Sequence, residues 1–277
     1  MIRFLPLFML VIITGCSTQE QNIDSTEQSI IILSPEIAEI VCALGAEQSI
    51  IGITQECDYP PSLRKKPIVG SFSSPNVERI VQSRPDLVLL SGMEQDMIKH
   101  SLENLDIEVY QYFPNSLDSL YQTIISIGSL LDLSNRADSL VHYMKNEINS
   151  LPPHNHFTSI FVEIYHSPLM TVSDNSFVGD VLDHAGLTNI FPDLPREYCA
   201  VSSEKIVEMN PDIILITYPG VSSQDVKERL GWNVISAVQK DQIYTVEDIN
   251  PDIILRAGPR ISEGIQRLSQ IATMTNE

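Results

Sequence analysis

The sequence carries one pattern twice, as NVERIVQSRPDLVL over residues 76–89 and as SSEKIVEMNPDIIL over residues 202–215. Each copy predicts a helix, a Pro-Asp turn and a buried strand, because Asn76 and Ser202 are good N-cap residues and both copies end on an apolar run. The two copies lie 126 residues apart. We therefore expect two similar α/β units in one chain.

Strands and helices alternate on both sides of these copies. In the first half we predict strands at 30–33, 50–54, 87–90 and 109–112, and helices at 35–44, 76–83 and 94–105. In the second half we predict strands at 159–164, 213–217 and 243–246, and helices at 176–185, 203–209 and 258–272. This order implies parallel sheets covered by helices. Ser34 is expected to cap the first helix, with Pro35 at its first position.

The middle of the chain reads as helix throughout. Apolar residues at three- and four-residue steps predict helices over 117–131 and 136–151. Residues 250–255 repeat residues 210–215 letter for letter and therefore look like a further strand. Because this copy directly follows a predicted strand, we interpret it as a loop that enters the last helix.

The N-terminus, MIRFLPLFMLVIITGC, has one arginine, a short apolar stretch and a small-residue ending. This pattern predicts a signal peptide, and its ending resembles the bacterial lipobox, in which the cysteine, here Cys16, carries lipid. An ordinary signal peptide with a chance cysteine is the alternative. The predicted division of the chain is signal peptide 1–15, tether 16–28, N-terminal α/β lobe 29–115, helical connection 116–151 and C-terminal α/β lobe 152–277.

Composition narrows the class of protein. The chain of 277 residues has 17 Lys+Arg against 36 Asp+Glu, a formal net charge of -19, which argues against nucleic-acid binding. No apolar run after the N-terminus is long enough to span a bilayer. Beyond Cys16 the cysteines are Cys42, Cys57 and Cys199, so at most one internal disulfide can form and its partners stay open.

At this point the sequence resembles the substrate-binding proteins of ABC importers for cobalamin, haem and iron-siderophores. The resemblance rests on the lipobox, Asp-Tyr-Pro-Pro at 58–61, the two repeat copies, and Arg-Ala-Gly-Pro-Arg at 256–260. It implies two α/β lobes bridged by one long helix, here 136–151, with little closure. It also implies a periplasmic, lipid-anchored monomer that needs no cofactor and delivers its ligand to an ABC permease dimer driven by a separate ATPase.

The resemblance places a ligand in the cleft between the lobes, where the loops that follow the strands meet. Cobalamin binders line this cleft with aromatic rings, but Gln55 and Ser91 stand where further rings can occur. An arginine such as Arg256 would suit an anionic iron complex; it could instead pair with a nearby carboxylate, and each aromatic could be core. The candidate ligand-binding residues are Tyr59, Phe72, Tyr165, His166, Tyr198, Asp252 and Arg256.

Two glutamates begin the repeated helices. In the family one glutamate on each lobe docks on arginines of the permease, and the matching positions are Glu78 and Glu204. The alternative is that each only complements the positive end of its helix dipole.

No nucleophile motif, phosphate loop or dinucleotide fingerprint is present, so no enzyme activity is predicted. An envelope hydrolase or an adhesion module remains the alternative. His154 and His156 stand near each other, but no further ligand at metal-site spacing joins them, so no metal site is predicted. The hypothesis is therefore a lipoprotein that binds a corrinoid, or else a ferric siderophore or haem, outside the inner membrane.

Overall fold

The computed structural model describes residues 28–152 and 158–275. The predicted signal peptide, Cys16, and the histidines His154 and His156 lie outside the described residues. Within the described part, no helix has both the length and the apolar character that crossing a membrane requires.

The first half builds one parallel sheet of four strands, as predicted. Its strand order is β2-β1-β3-β4, and the helices lie between consecutive strands. The elements are β1 (Ile30–Ile32), α1 (Pro35–Ala43), β2 (Ile50–Ile53), α2 (Val77–Ser83), β3 (Leu87–Ser91), α3 (Asp96–Glu103) and β4 (Glu108–Tyr112).

Two helices, α4 (Leu117–Leu130) and α5 (Ser134–Asn149), connect the halves. Helix α4 packs on α1 of the first half and on the first helix of the second half. Helix α5 lies along α4, and its Arg136 donates a 2.9 Å hydrogen bond to the carbonyl of Leu44 just after α1. Two helices therefore connect the halves, whereas the resemblance implied one long helix over residues 136–151.

The second half repeats the architecture. Its main sheet is parallel with order β10-β9-β5-β7, and β6 pairs with β8 in a separate antiparallel ribbon. The elements are β5 (Thr158–Glu163), β6 (Met170–Val172), α6 (Phe177–His184), β7 (Leu187–Asn189), β8 (Tyr198–Ala200), α7 (Ser203–Met209), β9 (Ile213–Ile216), α8 (Ser223–Lys227), α9 (Ser236–Gln239), β10 (Ile243–Tyr244), α10 (Asp252–Leu255) and α11 (Ile261–Thr275). In each parallel sheet the first strand along the chain, β1 or β5, lies between the second and the third. The two halves therefore share one topology as well as the sequence repeat. We call the two halves the first and second lobe.

The repeated segments have the predicted local structure. The side chain of Asn76 accepts a 2.9 Å bond from the backbone N–H of Arg79, and that of Ser202 a 3.2 Å bond from Lys205. These bonds satisfy helix N–H groups that have no partner inside the helix.

The aspartate of each Pro-Asp turn binds a serine at the start of the first strand of its lobe; Ser29 directly precedes β1, and Ser159 is the second residue of β5. Asp86 accepts from the hydroxyl of Ser29 at 2.7 Å, and Asp212 accepts from that of Ser159 at 2.6 Å. In return, each serine hydroxyl accepts from the aspartate N–H, at 3.1 and 3.0 Å. The turn therefore fixes the strand that follows it against the first strand of the sheet.

Some local predictions were wrong. Residues 252–255 form the short helix α10 rather than a loop, although they are not a strand, as expected. Ser34 occupies the N-cap position of α1, but its side chain makes no capping bond. The ribbon of β6 and β8 was not predicted, because three-residue strands carry too little pattern. Cys42, Cys57 and Cys199 are all free thiols.

The apolar core is continuous between the two lobes. Ile30 and Ile32 face one side of the first sheet, while Ile31 and Leu33 face the other. The cluster on the first side continues through α4 and reaches Val162 of the second sheet. A continuous apolar core between the lobes opposes large hinge motion, because opening it would expose buried apolar surface.

Candidate functional site

A cavity of about 750 Å³ lies between the lobes. Its first-lobe wall comes from the last residues of β3 and β4 and from segments that follow each of the four strands, as expected at the carboxyl ends of parallel strands. A second cavity of about 400 Å³ adjoins it and shares Glu36, Phe72 and Arg256. We call the two cavities together the cleft. Five aromatic side chains line it: Phe72, Tyr112, Phe113, Phe177 and Tyr198.

Phe72 lies in a turn, residues 71–74, that hydrogen bonds hold in place. Its N–H donates to Glu56 at 2.8 Å, and its carbonyl accepts from the buried amide of Gln95 at 2.9 Å. Gly70 precedes the turn with a φ of +131°, and a Cβ there would meet the backbone oxygen of Ser74 at 2.7 Å. These contacts hold the backbone of the loop at Phe72 in place. A ligand that binds there therefore costs the loop little conformational entropy.

Tyr198 faces the cleft from the second lobe. It lies on β8, which pairs with β6 and so has a fixed backbone. Burial raises the pKa of its hydroxyl, and the carboxylates of Glu197 and Glu94 raise it further. Glu94 belongs to the first lobe, so its field reaches Tyr198 across the cleft.

Arg256 reaches the cleft but is already engaged by acidic side chains. Its guanidinium lies 2.9 Å from Asp58, 3.2 Å from Glu39 and 3.1 Å from Asp252. The alternative in which Arg256 pairs with nearby carboxylates is therefore the arrangement found. Burial raises the pKa of Asp252, although Arg256 opposes that shift.

The same network accounts for Tyr59. Arg260 stacks over the Tyr59 ring at 3.9 Å and binds Glu39, so Tyr59 belongs to the contact between the lobes. We call Glu39, Asp58, Asp252, Arg256 and Arg260 the Glu39 ion network. Of the sequence candidates, the structure brings Phe72, Tyr198 and Arg256 to the cleft wall, while Tyr59 and Asp252 adjoin it through this network.

Tyr165 and His166 lie outside the walls of both cavities. His166 contacts the carboxylate of Glu163 at 3.3 Å, and Tyr165 is half exposed in the loop after β5. Glu163 is fully buried and accepts hydrogen bonds from Tyr218 and, at 2.9 Å, from Arg229. His166 is thus a neighbour of a buried ion pair, and its assignment to the ligand stays a prediction.

Comparison with known proteins places this geometry in a family. The model of a periplasmic binding protein family matches residues 30–249. The chain belongs to the periplasmic binding protein family. It is a substrate-binding protein of the ABC transporter type and not an enzyme, so the hydrolase alternative is set aside.

Three relatives illustrate the likeness of this binding protein. An uncharacterized ABC transporter substrate-binding lipoprotein, YvrC of Bacillus subtilis, is 29% identical over 94% of this chain and 84% of its own. A vitamin B12-binding protein of Pectobacterium atrosepticum is 25% identical over 89% of each chain. A crystal structure of a possible iron-binding protein from Staphylococcus epidermidis superposes with a TM-score of 0.77 at 31% identity, over 88% of this chain and 98% of that one.

The two repeat glutamates of this binding protein are exposed. Glu78 lies in the first turn of α2 and Glu204 in the first turn of α7. The pKa of Glu204 is lowered by hydrogen bonds from its own backbone N–H and from Ser202. Both carboxylates therefore face solvent at equivalent positions, a geometry compatible with either the docking role or the helix-dipole role.

Sequence reasoning missed part of the cleft. Phe113 follows β4 directly and Glu36 follows β1, so the rule that ligands bind beyond the carboxyl ends of strands would have found both. Phe177 is the first residue of α6 and Tyr112 the last of β4. Glu39 gave no signal, because a glutamate inside an amphipathic helix ordinarily faces solvent. In the described residues no group of three or more metal-ligating side chains is found.

Proposed function

We propose that this protein captures a corrinoid in the cleft between its lobes and delivers it to an ABC permease. The observation that carries the proposal is that both lobes contribute aromatic side chains, five in all, to the wall of one cavity. The corrin of cobalamin is a large ring with methyl groups and amide side chains on its periphery, and aromatic side chains give such a ligand a large contact area at low entropic cost. The vitamin B12-binding relative supports the same ligand class.

The proposal includes the cell envelope and two partners. Cys16 would carry the lipid that holds the protein on the membrane, with the tether 16–28 between lipid and fold. Glu78 and Glu204 would dock on basic side chains of the permease dimer, whose ATPase drives transport. The lobes keep their spacing on docking because the core and the Glu39 ion network join them.

A ferric siderophore or haem is the second candidate, and the iron-binding relative favours it. An anionic iron complex needs a free cation in the site. Arg256, the arginine that lines the cleft, is bound by three carboxylates. This arrangement favours the corrinoid over an anionic complex.

Equilibrium dialysis of residues 17–277, which include every described residue, against cyanocobalamin tests the proposal. We expect saturable one-to-one retention at micromolar concentration or below. Haemin and a ferric siderophore, dialysed in parallel, provide the competing outcome. Retention of either of these with none of cyanocobalamin would contradict the corrinoid assignment.

A further inference from the structure

We propose that the cleft selects its ligand by charge, and that it accepts a neutral or cationic corrinoid and rejects an anionic one. This inference rests on the proposed function and refines its ligand class. It follows from which charged groups line the cleft and from how each is already paired.

The walls of the cleft are acidic. The larger cavity is lined by four carboxylates, and the smaller one adds a fifth. Glu56 and Asp96 accept hydrogen bonds from neutral groups, the Phe72 N–H and the amide of Gln111. Glu36 accepts from the hydroxyl of Ser91. Within the described ranges no lysine or arginine lies within ion-pair distance of these five groups: Glu36, Glu56, Glu94, Asp96 and Glu197.

Arg256, the one lysine or arginine among the described residues of the cleft wall, does not offset them. Arg256 shares the Glu39 ion network with Arg260, and in that network three carboxylates face two guanidiniums. Arg64 lies 3.9 Å from Asp58 at the exposed edge of this network and adds a third guanidinium, so the network has no excess positive charge to offer a ligand. A ligand carboxylate or phosphate would meet an arginine that is already paired with three carboxylates, and five carboxylates with no lysine or arginine at ion-pair distance.

Repulsion on this scale is large enough to measure. Each carboxylate on the wall repels a negative charge on the ligand, and several of them together change affinity by about fivefold or more at low salt. Because Glu94, Asp96 and Glu197 are exposed, salt should screen their part of the effect. Salt sensitivity therefore distinguishes charge selection from a steric preference.

The experiment compares two ligands of nearly equal shape. Cyanocobalamin is neutral, whereas its monocarboxylic acid, in which one side-chain amide is hydrolysed, carries one negative charge. We expect the acid to bind this protein about fivefold or more weakly at low ionic strength, and the ratio to approach one at about 0.5 M salt. Equal affinities at low salt, or a ratio that salt leaves unchanged, would overturn the inference.

Variants assign the effect to the cleft. Glu94→Gln with Glu197→Gln removes two wall charges and should bring the two ligands closer in affinity. Asp138→Asn with Glu147→Gln makes the same change of net charge on exposed positions of α5, which line neither cavity, and should leave the ratio unchanged. An equal effect of both double variants would mean that only the net charge of the chain matters, and this would overturn the inference.

The outcome separates the two proposals. If neither corrinoid is retained, the corrinoid assignment fails. Selection by charge, which we call the charge rule, is then tested with a cationic ferric trihydroxamate and an anionic ferric tricatecholate. Retention of the cationic chelate alone would support the charge rule without the corrinoid. Retention of the anionic chelate, or of none of the four probes, would overturn it.

Discussion

Arg260 holds Glu39 with two hydrogen bonds, from Nε to Oε2 at 2.7 Å and from Nη2 to Oε1 at 2.6 Å. The pair joins the segment before α11 to α1 of the first lobe, across 221 residues of sequence. Side-chain exposure is only 3% for Glu39 and 15% for Arg260. A buried bidentate pair of this kind fixes the geometry of the contact between the lobes.

Breaking this pair should destabilise the fold. Glu39→Ala leaves two guanidiniums partly buried without their common partner, and we expect a loss of about 3–5 kcal/mol in the free energy of unfolding. The measurement is urea denaturation followed by circular dichroism. Glu208→Ala, which breaks the exposed pair with Lys205, is the control and should cost no more than about 1 kcal/mol. A cost for Glu39→Ala as small as that of the control would contradict this account.

Glu36 should make stability depend on pH. Burial raises the pKa of its carboxyl, although the hydrogen bond from Ser91 opposes the shift. The folded state then binds more protons than the unfolded state, so this group's contribution falls as pH rises from its ordinary pKa of 4.5 through the folded value. Glu36→Gln removes that decline.

The test for Glu36 is a pair of urea titrations, at pH about 4 and about 7.5, on the parent chain and on Glu36→Gln. The stability of the variant relative to the parent should increase with pH. A difference that stays constant, or that changes in the opposite direction, would show that the folded-state pKa is not raised.

Thiol reactivity should separate the cysteines. Burial raises the pKa of Cys57 to about 11 and that of Cys42 to about 12. Since the thiolate is the reactive form, we expect iodoacetamide at neutral pH to label Cys199, on the partly exposed strand β8, at least about tenfold faster than either. Peptide mass mapping of native protein over time gives the rates. Comparable rates for Cys57 and Cys199 would contradict the structure.

The docking hypothesis predicts a loss of transport without a loss of binding. Glu78→Ala with Glu204→Ala should reduce uptake about tenfold or more in cells, because charge pairs at such interfaces cost several kcal/mol when one partner is truncated. Ligand affinity in dialysis should stay unchanged. Asp138→Ala with Glu147→Ala, on exposed α5, is the control for net charge. Unchanged uptake in the repeat variant would leave the two glutamates with the helix-dipole role alone.

The sequence predicted most of the fold because its signals are local. The repeat at residues 76–89 and 202–215 predicted two equivalent helix-turn-strand units, and both sheets have the expected parallel strands. Phe72 and Tyr198, two of the aromatic candidates, line the cleft, and their contact with a ligand stays a prediction. The Glu39 ion network was beyond sequence reasoning, because its partners lie about two hundred residues apart and no local pattern marks them.

One measurement shows directly whether the ligand binds in the aromatic cleft. Equilibrium dialysis with cyanocobalamin would compare the parent chain with Phe72→Ala plus Tyr198→Ala, and with Tyr143→Ala, an exposed tyrosine on α5 outside the cleft. We expect the double variant to bind about tenfold or more weakly, since each lost aromatic contact costs about 1 kcal/mol or more, and Tyr143→Ala to match the parent. Equal affinity in all three folded proteins would contradict the assignment of this cleft as the binding site.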